Sequence, residues 1–158
     1  MTKGEGGIEA LLEEAAQQCA GRGAQLTPLR RQVLRLVLEA EQPVGAYTLL
    51  DRLKGQRGPA APPTVYRALD FLLEQGLVHR LERLNAFLPC VGEHGHGHAH
   101  QFLICTGCGT TDEIADAATA HALADAASRR DFVPARMTVE VEGLCGRCRV
   151  DGTTQGQP

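Results

Sequence analysis

Several things that this chain of 158 residues does not contain narrow the work it can do. No apolar run is long enough to span a bilayer, and the opening MTKGEGGIEALLEEAAQQ lacks the charged-then-apolar pattern of a secretion signal. A cytoplasmic protein with no membrane partner is therefore expected. There is no Ser-His-Asp order, no phosphate loop and no dinucleotide fingerprint to support hydrolytic, kinase-like or redox chemistry. A zinc deaminase would need His-x-Glu followed by Pro-Cys-x-x-Cys; the first element is missing, and Ile104 stands where the proline should precede the first cysteine pair. Neither catalysis nor a small-molecule substrate is expected.

What the chain does contain is concentrated between Leu77 and Cys108. That stretch holds His79, Cys90, the alternating histidines His94, His96, His98 and His100, and the pair Cys105-Thr106-Gly107-Cys108. Thiolates and imidazoles at this density suit a transition metal, zinc above all. Four of the six cysteines form two CxxC pairs, the second being Cys145-Gly146-Arg147-Cys148. In a reducing compartment this spacing favours zinc over disulfides. Each pair can grip one edge of a tetrahedron, and a closed shell of four thiolates leaves no open position, so its job should be structural. A redox dithiol would need a CxxC opening a helix after a strand, a setting expected of neither pair. Cys19 reads as structural or incidental.

Length leaves room for one ordinary domain or two small ones, and small domains need a metal, a disulfide or a partner to be comfortable. The overall charge of −3 argues mildly against nucleic acid, but it is unevenly spread. Between Arg22 and Arg83 there are ten Lys/Arg against six Asp/Glu, whereas from Glu93 onward there are five against nine. Any contact with phosphate belongs to the first half.

That first half reads as helices followed by a hairpin. Ile8, Leu11, Leu12, Ala15 and Ala16 recur at helical spacing over residues 7 to 20. Thr27-Pro28 supplies an N-cap and a first-turn proline for a second helix reaching about Ala40. Pro43 and Gly45 interrupt it, Tyr47 to Leu53 form a short third helix, and GQRGPAAPP a loop. Thr64 to Gln75 form a fourth, with Val65, Leu69, Leu72 and Leu73 inward and Tyr66, Arg67 and Asp70 outward. Strands at 77–82 and 86–88 complete a winged helix-turn-helix whose fourth helix reads the major groove. Arg67 offers a bidentate guanine donor and Tyr66 a phosphate or thymine-methyl contact. Thr64, Tyr47 and Arg30 are further candidates for DNA contact. The plain alternative for residues 62–76 is an ordinary amphipathic core helix.

In the second half, short strands at 101–105 and 110–114 flank the CTGCG turn, an alanine-rich helix spans 116–130 with Leu123 and Ala127 on one side, and a strand at 136–141 leads to the second cysteine pair. The fold class is thus α+β, with a winged-helix domain at 1–86, a hinge at 87–92, a small α/β dimerisation and metal-binding domain at 93–152, and a disordered tail at 153–158. A second metal set could draw on His79, Cys90, the loop histidines and Glu113. Taken singly each has a plainer reading: an exposed strand residue, a surface acid, a metal-scavenging loop.

Read together, LTPLRRQVL, AYTLLDRL, PPTVYRALDFLLEQGLVHRLE, FLICTGCG and GLCGRC occur in the order seen in the ferric uptake regulator family, and the chain resembles its zinc uptake regulator branch from about Leu26 to Cys148. The resemblance implies a homodimeric, metal-dependent repressor of double-stranded operator DNA. It implies a structural zinc at Cys105, Cys108, Cys145 and Cys148, and a regulatory zinc near the hinge at His79, Cys90, His98 and Glu113, with His100 and then His96 as alternates to His98. Two zinc ions per subunit are expected. A thiolate at Cys90 favours a tetrahedral borderline metal over the harder octahedral shell of manganese.

Overall fold

A computed structural model describes residues 5–57, 62–90, 100–135 and 137–152. It divides into two compact units, 1–91 and 92–158. In the first, α1 (Glu5–Gly21), α2 (Pro28–Leu38), α3 (Ala46–Arg57) and α4 (Pro62–Glu74) are joined by a small sheet of β1 (Val44–Gly45), β2 (Val78–Leu81) and β3 (Ala86–Pro89). The strands are antiparallel in the order β1-β3-β2. This is a winged helix, as the pattern of helices and hairpin predicts.

Local chemistry explains the boundaries. Thr27 caps α2 through its hydroxyl to the Arg30 N–H, and Pro28 sits where its missing donor costs nothing. At the other end of α4, the Leu77 N–H reaches the Leu72 carbonyl and the Gly76 N–H the Leu73 carbonyl, with Gly76 left-handed at φ 69°. That is a Schellman stop, and it needs glycine there. Three features differ from the sequence reading. The third and fourth helices extend into the expected loop, α3 to Arg57 and α4 from Pro62; α4 can start there because both prolines lie in its first turn, where they are tolerated. Val44–Gly45, read as a break, pairs with Ala86–Phe87 as a third strand. Residues 87–89, expected in the hinge, complete β3.

The first unit has a continuous core: Leu12, Val33, Val37, Leu49, Leu53, Val65, Leu69 and Leu72 are all at most 1% exposed. Burying side chains of this size contributes about 1.5–3 kcal/mol each. Cys19 is part of that core, and burial pushes its thiol up from the ordinary range, which fits a structural residue.

The second unit holds β4 (His100–Cys105), β5 (Thr111–Ile114), α5 (Ala117–Ser128), β6 (Thr138–Gly143) and α6 (Gly146–Val150). Its sheet runs β5-β4-β6, with β4 antiparallel to β5 and parallel to β6. Asp116 caps α5 through the N–H groups of Ala118 and Thr119. Its core is sparse. Phe102, Ile104, Cys105 and Cys148 are its buried apolar side chains among the described residues, and α5 buries nothing; Leu123 is 40% exposed. The tail at 153–158 lies outside the described residues, as do His94, His96 and His98. No described helix is long and apolar enough to cross a membrane.

Candidate metal centres and nucleic-acid interface

The parallel pairing of β4 with β6 sets Cys105 opposite Gly143 and so brings two distant cysteine pairs to one end of the sheet. The TGC turn after β4 carries Cys108 back, and Cys145 begins α6. The sulfurs of Cys105, Cys108, Cys145 and Cys148 all lie within 4.8 Å of one another, and none is in a disulfide. A zinc–sulfur bond of about 2.3 Å gives a regular tetrahedron edges of about 3.8 Å. Cys108 Sγ and Cys145 Sγ are 3.8 Å apart. The donor set fits zinc in both chemistry and spacing.

The surrounding hydrogen bonds prepare the thiolates. The backbone N–H of Cys145 donates to Cys105 Sγ at 3.2 Å and, with the N–H groups of Cys108 and Gly107, brings the Cys105 thiol down to about 6. The Thr110 hydroxyl lies 3.1 Å from Cys108 Sγ and lowers that thiol too. Cys148 goes the other way, pushed up to about 12 by burial and by the three neighbouring thiols. Four thiolates cannot share this space unless a cation compensates them, and a bound divalent ion reverses the balance for Cys148. Thr110 and the Cys145 amide are supports that the cysteine spacing did not reveal; a hydroxyl two residues after a CxxC is too common a pattern to single out.

One sequence expectation needs correction. Cys145 is the N-cap of α6, directly after β6, so the second pair does open a helix after a strand. The first pair, however, stands within reach of it, and a set of four mutually close sulfurs suits a metal ion better than an isolated redox dithiol would.

Each unit also carries a pair of harder or mixed donors of its own. In the first, His79 faces Leu88 across the hairpin, and the Cys90 N–H donates to the Leu77 carbonyl at 3.0 Å, continuing the ladder by one residue. Alternation along β3 places Cys90 on the same face as Leu88, so His79 and Cys90 are diagonal neighbours on one side of the wing. His79 is buried at 7% exposure, where the sequence alone allowed an exposed strand residue. In the second unit, Glu113 pairs with Phe102 in register, and His100, two residues before Phe102, reaches it: Nδ1 to Oε1 is 3.4 Å. Of the histidine loop, His100 is the member that is described, and it lies against Glu113.

The candidate DNA face belongs to the first unit. Tyr66 and Arg67 are exposed on the second turn of α4, Thr64 is half-buried just before them, and Tyr47, at the start of α3, is 74% exposed. Nothing in the packing requires two tyrosines to face water, and contiguous exposed aromatic and cationic groups are what base and phosphate contact needs. Arg30 is differently placed. Its guanidinium lies 3.6 Å from the Phe71 ring centroid, which ties α2 to α4, and donates through Nη1 to the Gln25 carbonyl at 2.7 Å, so one face and one donor are already engaged.

Comparison with known proteins follows the same lines. The profile of the ferric uptake regulator family matches residues 21–142. The zinc uptake regulation protein of Escherichia coli strain K12 is 39% identical over 140 residues, covering 89% of this chain and 82% of that one. A solved zinc uptake regulator complexed with zinc and DNA superposes with a TM-score of 0.85 at 37% identity, over 93% of this chain and 98% of the other. Holo XcZur superposes at 0.80 with 42% identity, over 89% and 98%.

Proposed function

Because the chain belongs to the ferric uptake regulator family, we propose that it is a zinc-responsive transcriptional repressor: a homodimer that, loaded with zinc, binds palindromic operators of zinc-uptake genes in the cytoplasm and releases them when zinc is scarce. The observation that carries this reading is the 39% identity to a zinc uptake regulation protein in a chain whose four cysteine sulfurs cluster and whose wing buries a histidine, His79, with Cys90 paired just beyond the same hairpin. A soft nitrogen–sulfur pair built into the DNA-reading unit itself lets metal occupancy bear directly on the reading head.

Each subunit takes two zinc ions. Cys105, Cys108, Cys145 and Cys148 hold the structural one. His79 and Cys90 hold the regulatory one with Glu113 and a loop histidine; His98 is the residue that the family resemblance implies, and His100 is favoured by its contact with Glu113. Zinc held by these residues would let metal occupancy act on the wing. Arg67 and Tyr66 read base edges from the two copies of α4, with Thr64, Tyr47 and the spare donors of Arg30 on the backbone. The dimer is supported by how much apolar surface the second unit leaves open, including Leu103, Leu123, Phe132, Val133 and Val141. Ligation that favours one arrangement of the reading heads shifts the population toward it, and moving that balance from 1:99 to 99:1 takes about 5.5 kcal/mol of differential binding. No enzymatic step belongs to this reading.

The test is a zinc titration that counts ions per subunit while operator binding is followed by fluorescence anisotropy. Two ions are expected, one resistant to mild chelation and one whose removal abolishes binding. Cys90→Ser should lose at least tenfold in zinc-dependent operator affinity, about 1.4 kcal/mol or more, while keeping the tightly held ion. Unchanged zinc dependence in that variant would remove the regulatory assignment. A protein that binds zinc but shows no sequence-specific gel shift at any zinc concentration would be a store or carrier instead.

A further inference from the structure

The reading helix α4 is held at its far end by α1, and the way it is held gives two residues a role outside the metal sites and the DNA face. After the Schellman stop at Gly76, the carbonyl of Gln75 is left without a partner inside the motif. Two side chains, one from α1 and one from the residue just after it, supply it: Gln18 Nε2 donates at 2.9 Å and Arg22 Nη1 at 2.7 Å. Arg22 follows the last residue of α1, whose own end closes at Gly23, left-handed at φ 71°, with the Ala24 N–H on the Cys19 carbonyl. The C-terminal ends of two helices therefore meet here. Both carry partial negative charge, and a guanidinium between them answers both.

We propose that Arg22, assisted by Gln18, is a positioning residue for DNA specificity: it fixes α4 along its axis so that Arg67 and Tyr66, at the opposite end of the same helix, meet base edges in register. The inference rests on the repressor reading above. A bidentate contact from arginine to guanine discriminates only while both donors stay within hydrogen-bond distance, whereas a phosphate contact tolerates displacement. Loosening the far end of the helix should thus weaken recognition of sequence more than attraction to DNA. Arg30 on Phe71 closes the same half of α4 from the α2 side, so Arg22 is the clamp on the axial direction.

The experiment compares zinc-loaded full-length protein on two duplexes of equal length, one carrying a sequence selected by the wild type from a random library and one scrambled, well below each variant's unfolding midpoint. Arg22→Met should reduce the selected-over-scrambled affinity ratio about tenfold, with scrambled binding and zinc content unchanged. Arg22→Lys, which keeps the cation and a donor, should restore most of the ratio, and Gln18→Leu should lower it by a smaller factor. If Arg22→Met lowers both affinities equally, Arg22 is a phosphate contact; if it changes neither, α1 has no part in reading. Either result overturns the assignment. Should the wild type itself show no preference between the duplexes, the repressor reading fails before any variant is made.

Discussion

The two units of this chain solve the problem of stability differently. In the first, four helices and a wing enclose an apolar core that needs nothing else: of the largest fully buried side chains among the described residues, only Phe102 belongs to the second unit. The second unit buries chiefly its central strand β4, leaves much of β5, β6 and α5 open, and gathers four cysteines at one end of the sheet. One is stabilised by hydrophobic burial; the other, on the proposed reading, would draw on zinc at its four clustered cysteines and on a second copy of itself. The division has a functional logic: a reading head should keep its shape whatever the zinc level, while the part that assembles can depend on zinc.

The contrast is broken most severely at the cage. Cys148→Ser leaves three thiols in the cluster, and structural zinc accounts for about 10–16 kcal/mol of apparent binding free energy in small zinc-folded peptides. Losing a comparable share should unfold the second unit and with it the dimer, while the first unit stays folded. Hydrogen exchange should then show protection confined to residues 5–90, and light scattering a monomer. Retained protection across β4 and β6 without bound zinc would show that the sheet stands on apolar packing after all.

The reciprocal experiment is Leu72→Ala, at the centre of the first core and fully buried. A cavity of that size costs about 2–5 kcal/mol. Denaturant unfolding should show the loss in a transition that leaves tightly bound zinc untouched, because the cage shares no core residue with Leu72. If zinc were released in the same transition, the two units would be one cooperative block rather than two.

How far the sequence discloses each unit follows from the same contrast. Where burial dictates pattern, as in α2 and α4, periodicity locates the helix and its inner face, and Thr27, Pro28 and Gly76 mark its ends. Where no core imposes a pattern, the signal fails. Leu123 and Ala127 read as one side of a helix and α5 is there, but the pattern did not show that α5 buries none of its residues within this chain. The strand at 44–45 is two residues long and carries no alternation to detect, and α6 is fixed by cysteines rather than by apolar spacing. The cage was legible because metal ligation demands particular residue types at fixed spacing. The Thr110 and Cys145 amide donors that tune it were not, because backbone direction and a lone hydroxyl leave no compositional trace. Beside the wing, the histidine and cysteine types were visible, but their shared face emerges only from the strand register.

The smallest effect is expected where the first unit uses charge rather than burial. Glu9 on α1 pairs with Arg35 and with Arg31, the latter at 3.0 Å, and Glu13 lies 3.6 Å from Arg31. The arginines, Arg35 foremost, hold the Glu9 carboxyl below the usual carboxylate range. A carboxyl lowered in the folded state adds stability that is fully present above its unfolded value and is lost as pH falls through the folded one. Exposed pairs contribute little, so Glu9→Gln should lower the unfolding midpoint slightly at neutral pH, and the gap should close as the solution is acidified below the carboxylate range or as salt is raised. The substitution also uncovers two cations on a DNA-reading unit, so affinity for scrambled duplex should rise with a steeper salt dependence. A midpoint difference that persisted in acid would mean that Glu9 acts through packing, and the first unit would then owe even its surface to burial.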